Sequence, residues 1–205
     1  MLRQLLIGAA AALTAVPLAA APLTVRVVDA RGHPVADAVV TLRPQGPGHP
    51  ARVAGPYVMA QQNMQFHPFV LVVPVGATVS FPNRDSTKHD VYSFSPAKPF
   101  ELKLFAKDQT RSVHFDRPGI VALGCNIHDQ MTAFIVVTDS EWTAKTDGRG
   151  VVTFADAPDQ PARLTVWHPY LRAPGNSVAK SIPPGDRGES FTVALRPPPM
   201  PMPAY

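Results

Sequence analysis

The chain has 205 residues, a net charge of +4 at pH 7 and 24 prolines. Such a small net positive charge does not indicate a nucleic-acid-binding surface. The abundance of proline, with no long stretch free of Pro, Gly and β-branched residues, argues against a fold built from long helices. It favours short strands joined by proline-rich loops.

The first residues have the pattern of a secretory signal peptide. Arg3 precedes a short apolar run that ends in small residues at Ala19-Ala20-Ala21, and Pro17 interrupts that run. A membrane anchor is the alternative, but the run is short for a spanning helix. We therefore predict a signal peptide over residues 1–21, export to the periplasm and no membrane span after its removal.

Alternating apolar and polar residues predict short strands along the rest of the chain. The predicted strands are 23–29, 38–42, 70–75, 78–81, 91–94, 100–105, 112–115, 120–124, 134–138, 151–154, 164–167 and 191–195. Turn-forming clusters separate them, such as Pro44–Pro50 and Asp147-Gly148-Arg149-Gly150. Short strands at this spacing indicate an all-β protein made of sandwiches or barrels.

Two separated pieces of the sequence resemble one type of small β-sandwich. Gly32-His33-Pro34-Val35 with the strand 38–42 resembles the opening hairpin of carboxypeptidase-regulatory-like (transthyretin-like) domains. Thr146-Asp147 with Gly150, Phe154 and the strand 164–167 resembles the continuation of the same domain. The two pieces are neighbours in that family, so the resemblance implies that the central block is inserted between them, as an exposed loop tolerates. The alternative is that the outer strands extend the central sheet.

The predicted organisation follows from these blocks. It comprises a signal peptide (1–21), the first part of a small sandwich (22–50), a central domain (51–139), the second part of the small sandwich (140–197) and a disordered tail (198–205).

Cys125 is the only cysteine, so an exported chain cannot use it for an internal disulfide. It opens the segment Cys125-Asn126-Ile127-His128-Asp129-Gln130-Met131, in which a thiol, an imidazole and a thioether share one short loop. His89, between a loop and a strand, supplies a second imidazole. Two His and one Cys in a plane with a weak axial Met form a blue-copper site. We predict one type 1 copper held by His89, Cys125, His128 and Met131.

Ordinary structural roles are the alternatives for each of these residues. Cys125 could be a buried inert thiol, and the two histidines could be surface or core residues. Zinc seldom takes a thioether ligand, and no third group is evident to orient a Cys–His catalytic pair. Met59, Met64 and His67 could form a second site for Cu(I), or be ordinary residues of a strand.

At the predicted ligands the central block resembles the cupredoxins, or blue copper proteins. The short ligand loop is most similar to that of amicyanin, and the segments 75–85, 89–91 and 116–119 resemble the same family. With 64–68 and 92–96, the fuller pattern resembles exported cupredoxins of the methylamine-utilization type. The resemblance implies a Greek-key sandwich in which the same four residues bind copper. It also implies that His128 reaches the surface among apolar residues. Cupredoxins commonly carry Asn where this chain has Asp90, so side-chain support of the thiolate must be absent or rearranged.

These observations predict a periplasmic carrier of single electrons, and not an enzyme. Its partner would be another redox protein, such as a cytochrome or a quinoprotein dehydrogenase. Two other functions remain open. One is a copper-binding or copper-delivery protein that uses Met59, Met64, His67 and the tail methionines Met200 and Met202. The other is a structural sandwich with a vestigial site.

Overall fold

The computed structural model of the protein describes residues 21–46 and 49–198. The predicted signal peptide and tail fall almost entirely outside these residues. Within them the regular structure is strands and one short 3₁₀ turn, which confirms the all-β prediction. In the described part of the chain, no helix has the length and apolar character that crossing a membrane requires.

The strands are β1 (Leu23–Asp29), β2 (Val39–Pro44), β3 (Tyr57–Val58), β4 (Ala60–Gln62), β5 (Gln65–His67), β6 (Val70–Pro74), β7 (Ala77–Pro82), β8 (His89–Ser93), β9 (Phe100–Phe105), β10 (Thr110–Phe115), β11 (Gly119–Cys125), β12 (Ala133–Thr138), β13 (Thr143–Lys145), β14 (Val151–Phe154), β15 (Ala162–Trp167), β16 (Ser177–Ile182) and β17 (Gly188–Val193).

The strands at the two ends of the chain form one sandwich, which we call the outer sandwich. β1 pairs antiparallel with β14 and parallel with β17, and the second sheet has the order β13-β2-β15-β16. Side chains at alternate positions, such as Val25, Leu42 and Leu164, fill the core between the two sheets. The outer strands pair with one another and do not extend the central sheets.

The strands from β3 to β12 form the central sandwich. One sheet has the order β10-β7-β3 and the other the order β6-β12-β11-β8-β9, while β4 and β5 form a small hairpin. Burial alternates along β7, as expected for a strand with one face on a core. The core between the two sheets contains the large aromatic side chains Phe81, Phe105 and Phe115.

A third apolar cluster joins the two sandwiches. Val39 and Trp167 of the outer sandwich pack with Val70 and Val136 of the central one. The ring of Phe134 lies edge-on to Trp167, with 5.7 Å between centroids. The outer sandwich therefore packs on the β6–β12 part of the five-stranded sheet.

Twelve strands fall where the sequence pattern predicts them, with ends that differ by up to three residues. The pattern missed β3, β4, β5, β13 and β16. The first four have only two or three residues, which is too short for a period of two to show. β16 alternates poorly, because its residues Ser177–Ile182 are mostly half-buried or exposed.

Candidate metal centre

Two paired strands bring the first histidine next to the cysteine. β8 begins at His89 and β11 ends at Cys125, and the two strands are antiparallel, with Cys125 opposite Val91. The start of one strand therefore lies beside the end of the other. The short loop from β11 to β12 then turns back, and the Met131 N–H donates to the His128 carbonyl at 2.9 Å.

Three of the four predicted ligands face one another. The Cys125 Sγ lies 3.7 Å from His89 Nδ1 and 3.9 Å from His128 Nδ1, and the potential ligand atoms of all three residues lie within 4.8 Å of one another. The two imidazole centroids are 5.1 Å apart. His89 and Cys125 are buried, whereas His128 is half-buried. The group thus sits at the end of the core, and His128 is its link to solvent.

Met131 lies in the same core as Cys125 and is 1% exposed. Its backbone bond to His128 fixes it at the end of the ligand loop. Its burial and its place in this loop fit an inward-facing thioether, and its role as a fourth ligand stays a prediction.

The distances in the His–Cys–His group fit a bound metal ion. Metal bonds of about 2.3 Å to a thiolate sulfur and about 2.0 Å to an imidazole nitrogen, at an angle of about 120°, separate sulfur from nitrogen by about 3.7 Å. The two observed separations, 3.7 and 3.9 Å, lie close to that value. One soft thiolate, two imidazoles and a nearby thioether are a donor set that suits copper better than a hard cation.

Asp85 holds the buried histidine from behind. Its Oδ2 lies 2.9 Å from His89 Nε2, and its carboxylate also accepts the N–H groups of Asn63 at 2.6 Å and Met64 at 3.0 Å. Burial raises the pKa of Asp85, but the bonds from Met64, His89 and Asn63 outweigh it and hold the pKa below its usual value. The ionised carboxylate therefore accepts Nε2–H, which leaves the His89 Nδ1 lone pair facing Cys125.

Sequence reasoning missed the role of Asp85. Two signals could have found it: a carboxylate four residues before a predicted ligand, and the rule that a ligating histidine donates its second N–H to an acceptor. Asn83 supports the same loop. Its Nδ2 donates to the Thr87 and Phe105 carbonyls, and its Oδ1 accepts the Asp85 N–H.

Asp90 joins the two ligand loops through its side chain and its backbone. Asn126 donates its Nδ2 to Asp90 Oδ1 at 3.0 Å and its N–H to the Asp90 carbonyl at 3.0 Å. The side chain at 90 is thus the acceptor and the residue after Cys125 is the donor. These two bonds join the ligand loops, and neither involves the Cys125 sulfur.

The residues considered for a second copper site differ in exposure. Met59 is fully buried in the central core, whereas Met64 is 56% exposed in the turn between β4 and β5. His67 is also exposed, at the end of β5. In the described residues, the one cluster of His, Cys and acidic groups able to hold a metal is His89–Cys125–His128.

Solved structures similar to this chain include several copper proteins. A reduced amicyanin variant is 27% identical over 48% of this chain and 98% of its own, with a TM-score of 0.39. A copper-containing nitrite reductase from Thermus scotoductus is 27% identical over 47% of this chain and 25% of its own, with a TM-score of 0.40. A purple cupredoxin from Nitrosopumilus maritimus is 20% identical over 40% of this chain and 100% of its own, with a TM-score of 0.37.

No protein-family model matches the chain, and the comparison with curated protein sequences gives no match either.

Proposed function

We propose that this protein is a periplasmic type 1 copper protein that carries single electrons between redox partners. The observation that carries the proposal is the convergence of two imidazole Nδ1 atoms on one buried thiol, at 3.7 and 3.9 Å. His89, Cys125 and His128 would be the strong ligands, and Met131 the weak axial one. Copper bound there would supply the one-electron Cu(I)/Cu(II) couple.

The residues around the group suit electron transfer because they restrict its movement. Asp85 orients His89, Asn126 ties the ligand loop to Asp90, and the Met131 N–H closes the loop on His128. A site held by this many bonds changes little in geometry when its charge changes. The reorganisation that accompanies each transfer is then small.

The burial of the group favours a carrier over an enzyme. His89 and Cys125 are 0% and 2% exposed, so no substrate atom reaches the sulfur without displacing packed side chains. His128, which is half-buried, is the ligand through which an electron passes to a docked protein. That protein would be a cytochrome or a dehydrogenase, in a weak complex with a small contact area.

We also infer that residues 51–139 form a domain inserted into the outer sandwich. Residues of β1 and β2 share one core with residues of β14 to β17, and the strands between β3 and β12 have a core of their own. A loop between neighbouring strands begins and ends at points that lie close together. A domain can therefore be inserted there at little cost in stability. The transthyretin-like character of the outer sandwich rests on its sequence.

Cyclic voltammetry of the purified chain, loaded with copper, tests the proposal. We expect one equivalent of copper per chain and a reversible one-electron wave that Cys125→Ser abolishes. His114→Ala, at an outward position of β10, is the matched control and should keep the wave. Binding of two or more Cu(I) ions without a reversible wave would support a delivery protein, and failure to bind copper would support a vestigial site.

A further inference from the structure

A cavity lies where the two sandwiches meet. Its volume is about 510 Å³, within the range of about 300–1,000 Å³ that is typical of small-molecule sites. Strands β3 and β6 of the central sandwich contribute Tyr57, Val72, Val73 and Pro74 to its wall, and β13 of the outer sandwich contributes Thr143. We call it the joint cavity, because both sandwiches form it. Cavities between packed domains are common places for ligands to bind.

The charged residues of the joint cavity come from loops. Arg52 lies in the segment by which the chain enters the central sandwich, and Glu141 lies in the segment by which it returns to the outer one. Asp156 lies in the loop between β14 and β15. The strands therefore provide the apolar part of the wall, and three separate loops provide the charges.

Hydrogen bonds hold the wall of the joint cavity in place. The Thr138 and Thr143 hydroxyl oxygens lie 2.8 Å apart and so join β12 to β13, and the Ser140 N–H donates to Thr138 Oγ1 at 3.1 Å. The Tyr57 hydroxyl accepts the Ala54 N–H at 3.1 Å, which fixes the segment that carries the arginine. A wall that is already ordered loses little conformational entropy when a ligand binds.

The charged groups of the cavity do not pair with one another. Arg52 and Asp156 are exposed and Glu141 is half-buried, and none of the three forms an ion pair within the described residues. The neighbouring Asp139, in contrast, pairs with Arg43 and does not line the cavity. One guanidinium and two carboxylates are therefore available to a ligand in the same cavity.

A ligand that complements this wall needs three parts. A carboxylate matches the guanidinium, an ammonium group matches the two carboxylates, and an apolar body matches the valines and the proline. We propose that the joint cavity binds a zwitterion with an apolar body, either an apolar amino acid or a short apolar peptide. Its carboxylate would bind Arg52, its ammonium group would bind Glu141 and Asp156, and its apolar body would pack on Val72 and Pro74.

This proposal goes beyond the proposed function, because no predicted copper ligand lines the joint cavity. A test without copper therefore decides it separately from the electron-carrier proposal.

The first test is titration of the isotopically labelled full chain with L-leucine and with L-leucyl-L-leucine, followed by NMR. We expect saturable shifts centred on the amides of Arg52, Glu141 and Thr143. Analogues with one charge are the comparison: 3-methylbutylamine and 4-methylpentanoate for leucine, and the amide and the N-acetyl derivative for the dipeptide. Each should bind about tenfold more weakly than its zwitterion, because it loses one charge-assisted contact.

The second test assigns each charge to a side chain. Arg52→Gln should weaken binding of the zwitterion about tenfold and leave binding of the amine or amide analogue unchanged. The double change Glu141→Gln with Asp156→Asn should weaken binding of both. Arg163→Gln and Glu101→Gln, at exposed positions outside the cavity, are the matched controls and should leave every affinity unchanged.

The two probes also separate the two sources of a zwitterion. Binding of leucine alone would support a free amino acid as the ligand, and binding of the dipeptide alone would support a peptide. Binding of both would support recognition of the terminal charges that they share. The proposal would be overturned if neither probe gave saturable shifts at the joint cavity, if a one-charge analogue bound as tightly as its zwitterion, or if Arg52→Gln left the affinity unchanged.

Discussion

The two sandwiches differ in what fills their cores. The outer sandwich is filled by Val, Leu, Ala, Ile and Phe side chains, and its buried polar residues, such as Thr146, satisfy backbone groups at strand ends. The central core instead includes Cys125 and Met131, with the fully buried His89 beside them. Burying an imidazole is unfavourable unless its nitrogens are paired, and here Asp85 and Cys125 pair them.

The comparison separates two uses of a β-sandwich. In the outer one, burial serves to hold strands together. In the central one, apolar side chains give way at one end to the thiol and imidazole groups of the candidate metal centre. The hydrogen bonds of Asp85 and Asn83 fix that end in place. Changes in the two cores should therefore have different consequences for the candidate centre.

The largest expected effect comes from a cavity in either core. Leu164→Ala in the outer core and Leu123→Ala in the central core, both buried, should each lower the free energy of unfolding by about 2–5 kcal/mol. Leu123 lies two residues before Cys125, so its truncation should also weaken copper binding, whereas that of Leu164 should not. Chemical denaturation and copper titration check this pair. Equal loss of copper affinity in both variants would mean that the sandwiches respond as one unit.

The next effect concerns the carboxylate behind His89. Asp85→Asn leaves one oxygen for three N–H donors, so the free energy of unfolding should fall by about 1–3 kcal/mol. Copper affinity should fall about 10- to 100-fold, because the ring loses its orienting acceptor. Competition with a chelator measures the affinity. Asp116→Asn, which removes a surface ion pair with Lys98, is the control and should keep it.

A smaller effect is expected from Asp90→Asn, because the asparagine side chain keeps the acceptor oxygen. Asp90→Asn keeps the bond from Asn126 and removes one negative charge near the copper. The reduction potential should rise by about 20–40 mV, the equivalent of about 0.5–1 kcal/mol for a charge in a partly exposed setting. Voltammetry that shows no rise, or a fall, would contradict this prediction.

The smallest effect is a pH dependence in the outer sandwich. Burial lowers the pKa of His168 from its usual 6.5, an effect that the charge of Asp37 partly opposes. The unfolded chain then takes up the proton first as the pH falls, so stability is complete above about pH 6.5 and declines below it. His168→Asn keeps an acceptor for the Tyr170 N–H and should remove this part of the decline. Unfolding curves at about pH 7.5 and about pH 5.5 compare the two chains.

Local features of the fold and the candidate site could be predicted from the sequence, and long-range ones could not. Cys125, His128 and Met131 lie in one loop, so their proximity follows from spacing alone. Twelve strands follow from alternation. The parallel pairing of β1 with β17 joins the two ends of the described chain, and no local pattern encodes it.

The bonds that Asp85 accepts from Asn63 and Met64 were hidden for the same reason. Its carboxylate matters because the turn at Asn63 and Met64 comes from the β4–β5 hairpin, whose strands are too short to predict. Tyr92 and Gly124 could each be placed on a strand, but the contact between the Tyr92 ring and Gly124 depends on the register between β8 and β11. Registers of this kind are set by the packed core and not by the neighbouring residues.

Visible absorption during titration of the metal-free chain with Cu(II) tests the central claim most directly. A thiolate bound to Cu(II) in a trigonal site absorbs strongly by charge transfer from sulfur to metal. The account predicts an intense visible band that saturates at one equivalent and is lost in Cys125→Ser and in His89→Ala. A colourless, copper-loaded chain, or a band that survives without His89, would contradict it.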